Sequence, residues 1–566
     1  MQELDCDVLV VGSGAGGLSA AVTAAHLGLK VIVAEKDAQL GGTTAWSGGW
    51  MWIPRNPLAV EAGITEDIEL PLSYLRQELG AQFDEQRARV YLEHSPRMVS
   101  FFRRQTLLQF IDGNLVPDFH GKTPHSATGG RSVCAAPFDG RLLGGLRKRL
   151  KAPLWETTFL GLGIASGAEL RHYLNAVRSW PSFVYVVKRV MGYAWDLLRH
   201  GCSMRLVNGN ALAAALIASG QRAGVTFWVN SPAVALLRDT QRVAGVELKT
   251  DQGQVRVHAR CGVVLACGGF PHDAARKRAM LSHAPNGVEH KSAASRGNSG
   301  DGLRLGESVG AVVATDLTQA AALAPVSVVL RRDGSVAHFP HLIERAKPGV
   351  IAVNGQGKRF VNEADSYHDF MKALLHSTPA NQVARAWLVC DHRFIRRYGL
   401  GAVKPAPMPM GAMLRNGYLK RADTLAALAE QCGISSDELQ QTVMRYNQMA
   451  ESGRDEDFAK GETPYNQVQG DASSGHPNPC MAPLMQAPFY AVCIEQGSLG
   501  TFAGLRVNPQ AQVLDQQGQP IPGLYAGGND MASMMGGNYP SGGITLGPAM
   551  TFGFLMAEHM AGRQAG

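Results

Sequence analysis

The sequence predicts an α/β protein that contains a parallel sheet and more than one domain. With 566 residues, the chain is long enough for two or more hydrophobic cores. Two short β-branched runs, at residues 8–11 and 31–33, flank an alanine-rich helix and so form a strand–helix–strand unit. Apolar residues make up 45% of the chain and charged residues 18%, which is ordinary for a globular enzyme.

The positive charge of the chain is concentrated in one region. The net charge is +7, and residues 141–205 contain eleven Lys and Arg against three acids. The remainder of the chain is therefore close to neutral and offers no surface for nucleic acid.

Cysteine usage and the N-terminus indicate a cytoplasmic protein. The nine cysteines form no CxxC pair and no cluster with histidine at metal spacing, so we expect no metal site and no disulfide framework. Asp5 and Asp7 stand where a signal peptide would be basic. The sequence has no run of about 20 apolar residues that would span a membrane.

A glycine turn between the first strand and the first helix predicts a dinucleotide site. Gly12 allows the tight turn, Gly14 lets a pyrophosphate approach the backbone, and Gly17 lets helix and strand pack closely. The helix N-terminus that follows favours phosphate, and Glu35 at the end of the second strand is placed to bind ribose hydroxyls. We expect contacts to the cofactor from Gly12, Ser13, Gly14, Ala15, Gly17, Glu35 and Lys36.

A second loop of glycines and hydroxyl residues, at 40–50, distinguishes FAD from NAD. A nicotinamide enzyme needs no second cradle here, whereas the loop resembles the FAD-contacting loop of the fumarate reductase and 3-ketosteroid dehydrogenase flavoproteins. The loop contains no histidine, the residue by which members of that superfamily link FAD covalently, so we expect non-covalent FAD. The contacts implied are Gly41, Gly42, Thr43, Thr44, Ser47, Gly48 and Gly49.

Four further segments, at 263–270, 297–303, 522–530 and 542–550, resemble the same superfamily. In that superfamily the last two segments return the chain to the flavin. The resemblance therefore implies a discontinuous Rossmann-like FAD-binding domain, residues 1–304 and 489–566, with an inserted α+β substrate domain at 305–488. It also implies cofactor contacts at Ala266, Gly268, Asn298, Asp301, Gly528, Asn529, Thr545 and Leu546.

Three positions separate the two activities known on this scaffold. Fumarate reductases clamp a dicarboxylate with arginines and a histidine, because carboxylates need charged partners. Tyr367 stands where one arginine follows an Asn-Glu pair, and Tyr539 stands where the second belongs. Residues 496–504 lack the clamp histidine.

The residues present instead resemble 3-ketosteroid Δ1-dehydrogenases. That resemblance implies that Tyr367 removes the α-proton of a small hydrophobic ketone, while Tyr539 and the Gly543 N–H hold the ketone oxygen and FAD accepts hydride. The ring oxidised is a 3-oxosteroid or a smaller cyclohexanone-type ring. A reductase of an activated double bond and a flavin electron-transfer subunit are the alternatives. A quinone or dye-like electron acceptor is expected.

One position departs from the ketosteroid pattern. Members of that family carry a tyrosine that supports the base, and this chain has Phe119 followed by His120. Either His120 or a tyrosine from elsewhere, such as Tyr193, then supports Tyr367, or the ring that is oxidised differs from a steroid A-ring.

The basic stretch at 145–205 is predicted to be a helical insertion. Over residues 183–199 apolar positions fall on one stripe, with Lys188, Arg189, Asp196 and Arg199 opposite. This pattern fits a cap packed on the body over the substrate path. It also fits peripheral contact with anionic lipid at the inner face of a membrane.

Overall fold

The structure, a computed structural model, describes residues 2–240, 242–379 and 382–562. Within these residues the first layer is an eight-stranded sheet that contains five parallel strands. Across the sheet the parallel strands are Pro520–Ala526, Gly253–Leu265, Gln2–Val11, Val31–Ala34 and Thr226–Trp228. The two β-branched runs are thus neighbouring strands, and the predicted α/β class is confirmed.

Antiparallel strands extend this sheet, and helices cover it. Gln512–Leu514 pairs with the outer edge, while Ala233–Arg238 and Val243–Thr250 pair beside the first half of the long strand Gly253–Leu265. The helices Asn208–Arg222 and Leu546–Met560 both pack on the helix Ala15–His26. Small residues permit this approach: a Cβ on Gly553 would lie 2.6 Å from the carbonyl oxygen of Gly16.

A second sheet forms the other layer of the protein. Its antiparallel strands, in order, are Val336–Pro340, Val326–Leu330, Phe489–Glu495, Arg385–Cys390 and Val350–Asn354, with Leu419–Ala422 also paired to Phe489–Glu495. Its helices are Tyr367–Ser377, His392–Tyr398, Gly411–Arg415, Leu425–Cys432, Ser436–Ser452 and Pro464–Gln469. The α+β architecture expected of the inserted domain is present.

The strand pairing bears on the predicted domain bounds, which remain a proposal. Phe489–Glu495 was predicted to begin the returning FAD segment, yet it is a central strand of the second sheet. A small sheet of Lys291–Ser292, Gly497–Thr501 and Ala321–Leu323 then joins the two layers. We therefore propose that the chain returns to the FAD domain after Glu495.

The helical insertion contains Ala168–Leu174 and Trp180–His200. The longer helix has part of its polar side against the protein, where buried Glu169 accepts hydrogen bonds from Tyr185, Arg189 and Arg205 at 2.8–2.9 Å. Lys188 and Arg199, also on the polar side, are exposed. The apolar side of the helix faces solvent, with Leu198 84%, Trp180 74%, Met191 68% and Trp195 62% exposed. The insertion thus packs on the body through the polar side of this helix, and Leu170, Arg171 and Leu174 line the cavity described below, so a cap over the substrate path stays a prediction.

The remaining elements surround the junction of the two layers. Further helices are Pro57–Glu61, Glu69–Leu79, Glu85–Gln105, Ala274–Met280 and Asp301–Glu307. Further strands are Trp50–Trp52, Phe110–Asp112, Ser132–Ala135, Phe138–Asp139 and Arg205–Leu206. No helix in the described part of the chain is long and apolar enough to cross a bilayer.

Candidate active site

A cavity of about 490 Å³ opens at the carboxyl ends of the parallel strands. Val11, Ala34 and Ala266, at or just after the ends of three neighbouring strands, line it. This edge is where open α/β sheets bind ligands, because loops and helix N-termini converge there. The second domain closes the other side of the cavity through residues such as Tyr367 and Tyr465.

The glycine turn has the geometry that its spacing predicted. Gly12 has φ +105°, and a Cβ there would lie 2.2 Å from the carbonyl oxygen of Ala266. A Cβ on Gly14 would meet only the Thr44 hydroxyl, at 3.6 Å, so the backbone at Gly14 is open to the cavity. Gly17 lies away from the cavity and packs on Gly12, which is the role that its spacing indicated.

Glu35 is held at the rim by the turn that it faces. Its carboxylate accepts hydrogen bonds from the Ser13 N–H at 3.1 Å and the Ser13 hydroxyl at 2.6 Å, and from the Asp37 N–H at 3.0 Å. Lys36 forms an ion pair with Asp301. Lys151, which the sequence did not single out, forms an ion pair with Asp37 and hydrogen-bonds Ser295 at 2.8 Å.

Most of the predicted cofactor residues converge on this cavity. Those that line it are Gly12, Ser13, Gly14, Ala15, Glu35, Lys36, Gly42, Thr43, Thr44, Ser47, Gly48, Gly49, Ala266, Gly268, Asn298, Asp301, Gly528, Asn529, Thr545 and Leu546. Gly17 and Gly41 do not line it. The Gly41 N–H instead donates to the Ser13 hydroxyl at 2.9 Å, so Gly41 supports the turn from behind.

Asp530 ties two of these segments together. Its carboxylate accepts hydrogen bonds from the N–H groups of Cys267 and Gly269, on the neighbouring segment. Burial outweighs these bonds and raises the pKa of Asp530 to about 6. The sequence alone assigns no role to Asp530, because its partners lie more than 260 positions away.

The cavity fits FAD at its nucleotide end. The helices Ala15–His26 and Leu546–Met560 both begin at residues that line the cavity, so each presents a positive dipole end to it. The open face of Gly14 leaves space for a pyrophosphate beside the first helix. Glu35 supplies the acceptor that a ribose requires.

Two tyrosines meet at the other end of the cavity. Tyr367 begins the helix Tyr367–Ser377, whose N-cap Ser366 accepts a hydrogen bond from the Asp369 N–H at 3.1 Å. Tyr539 lies in the loop before the helix Leu546–Met560. Their ring centroids are 4.9 Å apart in an edge-to-face arrangement, and both rings are buried. The structure thus brings together two side chains that are 172 positions apart.

The environment of both phenols opposes ionisation. Burial is the main cause that raises the pKa of Tyr367 well above its usual value, and the adjacent Tyr539 phenol adds to it. Burial likewise raises the pKa of Tyr539, against interactions with Tyr367 and Thr545. Arg345 acts in the opposite direction on Tyr367. Its fully buried guanidinium donates hydrogen bonds to backbone carbonyls, so its charge is available to stabilise a nearby phenolate.

Gly543 lines the same cavity as the two tyrosines. It has φ +95°, and a Cβ there would lie 2.7 Å from Met51 backbone atoms and from the Trp50 carbonyl oxygen. The Gly543 carbonyl accepts a hydrogen bond from the Trp52 N–H at 3.2 Å, which fixes the peptide. A glycine is therefore required for the chain to lie against this strand.

Phe119 lies among three tyrosines. Its ring centroid is 4.5 Å from that of Tyr465, 5.6 Å from Tyr367 and 5.8 Å from Tyr539. Tyr465 is buried, lines the cavity and is the second residue of the helix Pro464–Gln469. Sequence analysis missed Tyr465, since only the fold brings residue 465 to this position.

Neither residue expected to replace the missing phenol does so. Tyr193 donates its hydroxyl to the carbonyl of Leu160 at 3.0 Å and does not line the cavity. His120 lies between Glu78 and Asp369. Burial lowers the pKa of His120, but the hydrogen bonds to Asp369 and Glu78 outweigh burial and raise that pKa to about 10. Each ring nitrogen takes part in one of these hydrogen bonds, so both nitrogens are occupied. The predictions for Tyr193 and for His120 as the support of the base are wrong on this geometry.

The fold and the cavity together define the class of the protein, a flavoprotein oxidoreductase. The chain belongs to the family described as FAD binding domain, which it matches over residues 7–546. FAD as the predicted cofactor is thereby confirmed.

Comparison with individual proteins confirms the predicted resemblance. The chain is 36% identical to a 4-oxocyclohex-2-ene-1-carboxylate 5-dehydrogenase of Sinomonas cyclohexanicum, over 98% of this chain and 94% of that protein. It is 36% identical to a 3-oxosteroid 1-dehydrogenase of Mycobacterium tuberculosis, over 98% of each. The crystal structure of 3-ketosteroid Δ1-dehydrogenase from Sterolibacterium denitrificans, in complex with 1,4-androstadiene-3,17-dione, matches with a TM-score of 0.90 at 35% identity. That match covers 99% of this chain and all of the other.

Proposed function

We propose that this protein is an FAD-dependent dehydrogenase that introduces a double bond beside the carbonyl of a cyclic ketone. The observation that carries the proposal is the pair of buried phenols, Tyr367 and Tyr539, beside Gly543 in the FAD cavity. The relatives described above, which act on ring ketones according to their names, support it. The absence of arginines at the positions of Tyr367 and Tyr539 argues against a dicarboxylate substrate.

In this proposal the protein binds the ketone oxygen and removes a proton. The Tyr539 hydroxyl and the Gly543 N–H donate to the oxygen, which gains charge as the α-carbon loses its proton. Tyr367 accepts that proton as its phenolate, which the Arg345 guanidinium favours. Bound FAD would supply the hydride acceptor for the β-carbon. The ring loses one proton and one hydride from adjacent carbons and becomes an α,β-unsaturated ketone.

Tyr465 is the residue that we propose in place of the phenol absent at Phe119. It packs on the Phe119 ring and interacts electrostatically with both Tyr367 and Tyr539. Burial raises the pKa of Tyr465, and Arg345 opposes that rise, as it does for Tyr367. One buried cation thus favours the phenolate form of two neighbouring phenols.

Anaerobic flavin reduction tests the proposed reaction. A 3-oxosteroid or a cyclohexanone-type ketone is expected to bleach the flavin of the holoenzyme, whereas succinate is not, and a quinone or dye should restore the colour. The same preparation, denatured in acid, is expected to release the flavin as FAD, since no attachment histidine is present in the loop at 40–50. Fumarate turnover comparable to that of any ketone would overturn the desaturase assignment.

We also propose that the helix Trp180–His200 contacts anionic lipid at the inner face of a membrane. Large apolar side chains on its outer side are exposed beside cations, and a surface of this kind is a membrane or protein contact. The exposed cations Arg178, Lys188 and Arg199 flank this apolar surface. Their positive charge favours contact with an anionic bilayer over contact with an apolar protein surface that carries no acidic residues. A hydrophobic ketone would partition from that bilayer towards the cavity.

Vesicle sedimentation measures this contact. The holoenzyme is expected to sediment with anionic vesicles, to be released from them by salt, and not to sediment with neutral vesicles. Trp195→Glu with Leu198→Glu should abolish the binding, because both side chains lie on the outer side. Met444→Glu, at an equally exposed apolar position on the distant helix Ser436–Ser452, is the control and should bind normally. Self-association without vesicle binding would contradict the proposal.

A further inference from the structure

The charged groups that line the cavity are distributed unequally between its two ends. Its acids, Glu35, Asp37 and Asp301, all lie at the nucleotide end, where they contact the glycine turn, Lys151 and Lys36. Two further cations, Lys347 and Arg171, line the cavity together with apolar side chains from neighbouring segments. The apolar residues there are Leu170, Leu174, Leu342, Ile343 and Val468.

Neither cation has a carboxylate partner within ion-pair distance among the residues that the structure describes. The Lys347 ammonium donates two hydrogen bonds, to the carbonyls of Gln469 at 2.5 Å and of Gly470 at 2.8 Å. An ammonium has three N–H donors, so one remains. Arg171 is near enough to oppose the charge of Lys347. Arg171 is exposed and Lys347 is partly buried, so an anion between them would accept a hydrogen bond from the remaining N–H of Lys347 and offset the repulsion.

The helix Pro464–Gln469 relates this site to the reaction centre. Tyr465 is at its second residue and Gln469 is its last, so the two lie about 6 Å apart along the helix axis. The ammonium on the Gln469 carbonyl is thus about one helical turn from the phenol cluster. A ligand whose ketone lies at the phenol cluster would therefore have to span about one helical turn to reach Lys347.

We infer that Lys347 and Arg171 form an anion subsite, which binds a carboxylate carried by the cyclic ketone at the end away from its carbonyl. This inference rests on the proposed function and adds the chemical class of the substrate. The ring system is either a single cyclohexanone ring or a steroid with an acidic side chain. Both present the same chemistry to the subsite, and the experiment below separates them.

A binding measurement tests the subsite without turnover. The holoenzyme is titrated with cyclohexanecarboxylate and with cyclohexanecarboxamide, both of which lack the ketone, and the perturbation of the flavin spectrum reports binding. The acid is expected to bind more tightly than the amide. Lys347→Met should weaken binding of the acid by about 10- to 100-fold, the range for a hydrogen bond to a charged group, and should leave binding of the amide unchanged. Lys347→Arg should restore most of the loss, and Arg171→Leu should reproduce part of it.

The pH dependence provides a second readout. Burial is the main cause that lowers the pKa of Lys347 to about 8, with Arg171 and Arg397 acting in the same direction and Asp471 and Cys480 opposing it. The ammonium is charged below that pKa and loses its proton as pH rises through it. The preference for acid over amide should therefore fall above about pH 8, and this dependence should disappear in Lys347→Met.

Turnover then identifies the ring system. KM is compared between 4-oxocyclohexanecarboxylate and its methyl ester, and between a 3-oxosteroid with a side-chain carboxylate and its methyl ester. For the preferred ring, Lys347→Met should raise KM for the acid only, with kcat retained. If Lys347 merely caps the helix that carries Tyr465, Lys347→Met would impair turnover of the acid and of the ester equally, and this result would overturn the inference. Equal binding of acid and amide by the wild type would also overturn it. Failure of every ketone to reduce the flavin would instead contradict the proposed function, and the binding titration would still decide on the subsite.

Discussion

Replacing Tyr367 by phenylalanine is expected to lower ketone turnover by about 10²–10⁴-fold, the usual contribution of positioned acid–base catalysis. The substitution removes one oxygen and keeps the ring. The edge-to-face contact with Tyr539 and the contact with Phe119 are therefore retained, and substrate affinity should change little. Stopped-flow reduction of the flavin separates the two quantities, since it gives the rate of chemistry and the apparent dissociation constant together.

Tyr465→Phe is the matched control for this prediction. It removes one phenol from the same buried cluster, at a ring 4.5 Å from Phe119, but leaves the proposed base in place. The loss should be about tenfold, which corresponds to one hydrogen bond that supports the phenolate. A larger loss in Tyr465→Phe than in Tyr367→Phe would make Tyr465 the base and Tyr367 its support.

Gly543→Ala is expected to lower turnover by about 10²–10³-fold, as when one donor to a developing oxyanion is lost. A Cβ at this position would lie 2.7 Å from backbone atoms of Met51, and φ is +95°, which alanine adopts only with strain. The peptide must shift, and its N–H then no longer points at the ketone oxygen. The Tyr539 hydroxyl remains, so weak binding of enone products should persist.

Gly542→Ala controls for the added methyl group. A Cβ on Gly542 would meet only the ring of Phe119, at 3.6 Å, which is ordinary contact. This neighbouring variant should therefore lose much less turnover than Gly543→Ala. FAD content and thermal unfolding of both variants show whether the cavity has stayed intact. Full FAD content together with wild-type turnover in Gly543→Ala would mean that this N–H is not a ketone donor.

The nucleotide end of the cavity could be predicted because its residues act through local backbone. The roles of Gly12, Gly14 and Gly17 depend on spacing within one turn, and Glu35 follows on the adjacent strand. The hydrogen bonds from Ser13 to Glu35 then close the unit over 22 positions. Such short-range geometry is specified by the local sequence.

The reaction centre required contacts between distant segments and was only partly predictable. Tyr367 and Tyr539 were found through the motifs that contain them. Tyr465 has no motif of its own and reaches Phe119 only through packing of the second domain. His120 was a reasonable candidate beside Phe119, but Glu78 and Asp369 occupy both nitrogens.

The long helix of the insertion shows the limit of periodicity. The pattern at 183–199 predicted both the helix and its two faces, yet it could not show which face the protein covers. Buried Glu169 decides this, because it binds Arg189 and Tyr185 and so turns the polar face inward. The hydrophobic periodicity of a helix shows which residues share a face, whereas contacts with the rest of the protein decide which face is buried.

Solvent exchange tests most directly whether Tyr367 removes the α-proton. The holoenzyme in deuterium oxide is given a ring ketone with no hydrogen on its β-carbon, so that hydride transfer is impossible and only the proton step remains. Wild type is expected to incorporate deuterium at the α-carbon, and Tyr367→Phe is expected not to do so. Exchange by Tyr367→Phe at the wild-type rate would show that another residue is the base.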